Sequence, residues 1–190
     1  MMSAPLGRAS SAGASRPNVA ALNPRQLTAE LGRARALPEL LSMQRRHGDQ
    51  FNEFHLSAFW SKFKALARGE RGKSLDSIAP VCEKTVRMLP ELHARSVSNI
   101  AHAFAKAGLV GTGPWESVWE ALPEAVRRSL GDFAPRALSN TAWAFAEAGH
   151  KDAQLFAAFA SAAESLLCEF NAQDLTKKTM SITTTRHSQQ

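Results

Sequence analysis

Ser96 to Gly108 reads SVSNIAHAFAKAG, and Ala137 to Gly149 reads ALSNTAWAFAEAG. Set one above the other without gaps, the two stretches share Ser-Asn, Ala-Phe-Ala and a final Ala-Gly at an offset of 41 residues. Self-similarity at such a period is the signature of stacked supersecondary units, each too small to bury its own apolar face. Working outward, Leu92 and Phe133 anchor the two copies, and Val97-Ser98 stand in the columns of Leu138-Ser139. A diverged copy is anchored at Phe51, with Leu56 and Ser57 in place, and a fourth at Phe170, with Leu175 and Thr176.

Each copy contains two helices. Three, seven, eleven and fourteen residues before the anchors stand Leu89, Thr85, Val81 and Ile78, then Leu130, Val126, Leu122 and Trp119, then Leu167, Ala163, Phe159 and Phe156. That spacing puts one apolar stripe along a helix. Ser74 and Pro114 are the expected start signals, proline being tolerated in a first helical turn. The second helix follows the anchor and is expected to bury Val97, Ala101, Phe104 and Ala105, or Leu138, Ala142, Phe145 and Ala146. Gly108 and Gly149 then end it, as glycine does where a chain must turn left-handed. The expected fold is therefore all-α, a short α-solenoid of tandem antiparallel helix pairs of about 37–41 residues. Ahead of Phe51, Asn23-Pro24 opens RQLTAELGRAR, and ALPELLSMQRRHG ends at Gly48; these read as opening helices, the first in the position of a cap.

The ends differ from this body. Residues 1–22 are rich in Ala, Ser and Gly, carry Arg8 and Arg16, and lack any acid, the first being Glu30. Such a composition builds no core. It fits an ordinary disordered tail and equally an organellar transit peptide, Arg-bearing, Ser-rich and acid-poor. The repeat domain is placed at 23–182, with 183–190 as a second disordered tail. After Met180 the fourth copy lacks the Ala-Phe-Ala stretch and its glycine, the pattern of a truncated or alternatively ended product.

The 190 residues are 44% hydrophobic, enough for one folded body, yet no apolar run approaches the ~18 residues of a membrane span. The formal charge of +6 sits in the N-terminal part: residues 1–100 carry 15 Lys+Arg against 8 Asp+Glu, whereas residues 101–190 carry 8 against 9. A basic bias favours an anionic partner, RNA above all. Positions three, seven, ten and fourteen after each anchor form one helical stripe that avoids the buried one. It reads Arg95, Asn99, His102, Lys106 in the second copy, Arg136, Asn140, Trp143, Glu147 in the third, and Gln173, Lys177, Met180 in the fourth. Arg and Lys meet phosphates, Asn and Gln bond base edges, and Trp or His stack on unpaired bases, which suits a single strand of RNA. The same residues also admit a plainer reading, with Asn99 and Asn140 bonding backbone at repeat junctions, Trp143 in the core and the rest solvated.

The pattern Phe133-x-x-Arg136-x-Leu138-Ser139-Asn140-x-x-Trp143-Ala144-x-Ala146-x-x-Gly149 resembles the octotricopeptide repeat and the related helical repeats of FAST-kinase-like and RNA-editing-substrate-binding-complex proteins. The resemblance spans roughly residues 37–180 and is close only at the copies anchored at 92 and 133. It implies a cradle for single-stranded RNA, serving RNA processing, stability or translation in a mitochondrion or plastid. The family often carries Gln where this chain has Arg95 and Arg136; Gln173 keeps it, and no RAP-type domain is recognisable. The alternative is a protein-interaction scaffold of the same fold.

Catalysis is not expected. Ala67-Arg-Gly-Glu-Arg-Gly72-Lys73-Ser74 meets only a loose phosphate-loop pattern, and the preceding FWSKFKALA is amphipathic helix, not the strand such a loop requires. It reads as a basic loop whose Arg68, Arg71 and Lys73 are in reach of phosphates. The histidines, at 47, 55, 93, 102, 150 and 187, form no group at metal-ligand spacing, and Cys82 and Cys168 read as separate buried thiols. No metal, cofactor, small-molecule substrate or membrane partner is expected, and no Ser, Cys or carboxylate stands in a nucleophile or acid/base arrangement.

Overall fold

The computed structural model describes residues 22–67 and 76–166. The expected tails, Ser74, the loop from Arg68 to Lys73, Cys168, Gln173 and Lys177, and with the last two the second helix of the fourth copy, lie outside the described residues. Eight α-helices are described: α1 (Pro24–Arg33), α2 (Leu37–His47), α3 (Glu53–Leu66), α4 (Ala79–Met88), α5 (Ala94–Ala107), α6 (Glu116–Ser129), α7 (Pro135–Glu147) and α8 (Ala153–Ser165). No strand occurs among the described residues.

The local chemistry explains where these helices begin and end. Asn23 starts α1 with a capping box: its Oδ1 accepts from Gln26 N at 2.9 Å, and its own N–H donates to Gln26 Oε1 at 3.1 Å. Asn52 starts α3 likewise, with His55 in the reciprocal role. Because Nδ1 of His55 accepts there, Nε2 carries the proton and donates to Pro24 O at 2.9 Å, tying the start of α3 to the start of α1. At the other end, Gly108 and Gly149 adopt φ of 73° and 75°. Leu109 N reaches Phe104 O and His150 N reaches Phe145 O, both at 3.0 Å, so the two best copies end in the same Schellman motif. Pro114 departs from expectation. It stands in the turn before α6, whose N-cap is Trp115, and the Trp115 ring lies so close over Gly113 that a Cβ there would fall 2.5 Å from it.

The helices form two rows. α1, α3, α5 and α7 pack side by side as one, α4 contacts α6 and α6 contacts α8 in the second, and α2 packs against α3. Within the first row the helices run parallel: Pro24 pairs with His55 and Gly32 with Lys62, Glu53 with His93 and Lys64 with His102, Ser98 with Ala137 and Lys106 with Trp143. α2/α3, α4/α5 and α6/α7 are thus the successive repeats, α8 begins the fourth, and α1 closes the first row as the opening helix. Ile78, Val81, Thr85 and Leu89 are buried as expected, as are Trp119, Leu122, Val126, Phe159 and Ala163, with Leu130 and Phe156 half-buried. Val97, Ala101, Phe104, Ala105, Leu138, Ala142 and Phe145 are buried as well, while Ala146 is only half-buried.

An aromatic chain runs through the core and crosses every described repeat junction. Ring centroids lie 4.4 Å apart for Trp60 and Phe104, 6.2 Å for Phe104 and Trp119, 5.6 Å for Trp119 and Phe145, and 6.0 Å for Phe145 and Phe159. Tilted and edge contacts of this kind add to simple area burial. They also make each repeat depend on its neighbours, so the array behaves as a stack and not as beads.

Candidate nucleic-acid interface

Parallel packing at a constant period turns each column of the repeat into a row across helices, neighbouring axes lying ~8–10 Å apart. The third position after the anchor gives Phe54 on α3, Arg95 on α5 and Arg136 on α7, all exposed. The tenth gives Ser61, His102 and Trp143, all half-buried, and the fourteenth gives Ala65, Lys106 and Glu147, all exposed. The stripe inferred from sequence is therefore one face of the parallel row, on which α5 and α7 stand side by side.

The side chains of this face are organised around the junctions. Asn99, half-buried, donates from Nδ2 to Ser57 Oγ of the preceding repeat at 3.0 Å. It makes a junction bond, as the plainer reading supposes, although to a side chain and not to backbone. Asn140 occupies the same place on α7 and is also half-buried. Trp143 is neither core nor free platform: its ring packs at a steep angle against that of His102, 5.5 Å between centroids, and Lys106 Nζ stands 4.3 Å from its centre. Lys64 of α3, which lies outside the predicted stripe, reaches across to His102, its Nζ 3.4 Å from Nδ1. Burial, and then the nearby charge of Lys106, hold Lys64 below the usual lysine pKa. Neither lysine forms an ion pair among the described residues, and Glu147, the α7 counterpart of Lys106, pairs with neither.

Lys64 and Phe54 are the residues of this face that sequence reading missed. Phe54 is 70% exposed where the closer copies carry arginine. Lys64 sits one residue ahead of the fourteenth column, close enough for a long side chain to bridge the interval.

Several charged groups elsewhere hold the stack together. Glu53 accepts from His93 N–H and from Ser96 Oγ through Oε1, and pairs with His93 Nδ1 at 2.7 Å, so one repeat caps the helix of the next. Burial raises the Glu53 pKa, but the bonds from Ser96 and His93 and the His93 charge outweigh it and leave it lowered. Lys84 Nζ donates to the carbonyls of Gly48 and Asp49, and Arg128 Nη2 to that of Leu89. Arg127 pairs with Asp152. Near α1 and α2, an open cavity of about 400 Å³ is lined by Leu22, Gln26, Glu30, Glu39, Met43, Arg46 and His47, on residues separate from the stripe.

Among the described residues no group of three His, Cys, Asp or Glu side chains is placed to hold a metal, and no helix is long and apolar enough to cross a membrane. Cys82 is buried, and burial pushes its thiol up to about 12, far from a reactive thiolate. Protein-family models and curated proteins yield no match to this chain.

Proposed function

We propose that the chain is a non-catalytic RNA-binding helical-repeat protein that serves RNA processing, stability or translation in a mitochondrion or plastid. The observation that carries this reading is the exposed face of the parallel row, where Arg95 and Arg136 align with Lys64, Lys106, His102 and Trp143 at the spacing of successive helices. Cations in register meet the phosphates of a strand, and the half-buried indole beside them offers a stacking surface once Lys106 leaves its face. The basic N-terminal composition and the likeness to organellar RNA-binding repeats support the same reading and suggest the compartment.

The test is binding of a labelled, unstructured single-stranded RNA to the full chain at low and high salt. Binding is expected at low salt, with loss on Arg95→Glu together with Arg136→Glu. Absence of binding at low salt refutes the reading. One observation favours the second reading, a protein-interaction scaffold: Phe54 holds 70% of its surface in solvent, in line with the two arginines.

A further inference from the structure

We infer that Lys64, Lys106 and Trp143 form one nucleotide subsite of this face, in which the two ammonium groups share a backbone phosphate and the indole takes the adjoining base. The inference rests on the RNA reading above and names the atoms that perform it. Three features carry it. First, two lysines from different repeats, about one period apart in sequence, meet at one junction: Lys64 Nζ approaches His102 Nδ1 at 3.4 Å, Lys106 Nζ lies over the Trp143 ring that His102 also touches, and burial and then the charge of Lys106 lower the Lys64 pKa. Like charges brought together without an acid between them favour an anion that lies between them, since it relieves the repulsion and meets both.

Second, both lysines are anchored beside an aromatic ring. Lys106 Nζ covers Trp143 at 4.3 Å from the ring centre, while the His102 ring packs against the indole at a steep angle, 5.5 Å between centroids. A cation–π contact at a half-exposed ring is weaker than a charge-assisted bond to phosphate. A phosphate therefore draws Lys106 off the indole, and the uncovered face is then available to a base. Phosphate binding and base stacking are coupled through one side chain. Third, α3, α5 and α7 each supply a member, so the subsite exists only where three repeats are stacked. The ligand class that matches is a single-stranded ribonucleotide segment, with little discrimination among bases, because stacking on an indole is sequence-tolerant.

The test uses the full chain and a short, unstructured, labelled RNA oligonucleotide, with affinity and tryptophan emission read together. RNA should quench part of the emission, and Trp143→Phe should abolish that part. Lys64→Ala should weaken binding by about five- to tenfold, and Lys64→Arg should restore it, the scale being that of one lost charge-assisted phosphate contact. Far-UV circular dichroism confirms that each variant is folded, and the arginine variant keeps the test informative where the alanine variant unfolds. If RNA binds, and Arg95→Glu with Arg136→Glu weakens it, while Lys64→Ala binds as the parent does and no Trp143 quench is seen, the subsite is wrong and the RNA reading stands. If the parent chain binds no RNA, both fall; retention of a protein partner that contacts Phe54 would then support the scaffold.

Discussion

Replacing Arg95 and Arg136 by alanine should flatten the salt dependence of RNA binding, and the size of that change can be worked from the face itself. Four described cations lie on it: Lys64, Arg95, Lys106 and Arg136. Each phosphate neutralised on a single strand adds about −0.7 to the slope of log affinity against log salt, so four contribute about −2.8. Raising salt from about 50 mM to about 200 mM then weakens binding about fiftyfold through this face. With both arginines gone the slope contribution is about −1.4, and the same salt step costs about sevenfold. Rows ~8–10 Å apart lie within about one Debye length at ~0.1 M salt, so the cations act on one strand together. Fluorescence anisotropy of a labelled RNA at several salt concentrations gives both slopes. A double variant with weaker binding but an unchanged slope would refute the reasoning, since the arginines would then be acting through something other than phosphate contact.

Other consequences concern the stack. Trp60 Nε1 donates to Thr85 Oγ1 at 3.0 Å, both side chains being fully buried, and Thr85→Val keeps the shape while orphaning the indole N–H. A loss of about 1–3 kcal/mol in urea unfolding is expected. Glu53 has a lowered pKa in the fold, so its contribution is complete above the ordinary glutamate value of about 4.3 and disappears as pH falls through the lower folded value. Glu53→Gln should therefore make the acid limb of thermal stability shallower, measured as melting temperature against pH, with little effect of salt at neutral pH on RNA binding.

What the sequence made legible follows from what repeats conserve internally. The buried stripes of α4, α5, α6 and α7 and the glycines that end α5 and α7 are like residues in like columns, so aligning the chain on itself finds them. Contacts between repeats obey a different rule. Glu53 with His93 and Ser96, Ser57 with Asn99, and Lys64 with His102 pair unlike residues whose separation in sequence is close to one period. A search for likeness passes over such pairs, whereas a search for donor and acceptor, or for cation and ring, about one period apart would have reached them. Lys64 was hidden for a further reason. The copy that begins at Phe51 is diverged, and its lysine stands one helical position before the column that holds Lys106. In a helix that shift rotates the Cβ by about 100°, yet four methylenes are long enough to recover it, which is why the charge arrives beside Lys106 although the column does not. The same tolerance argues that the basic character of this face is set by reach as much as by register, and that a charge census one residue to either side of the stripe is the better guide to where a phosphate is met.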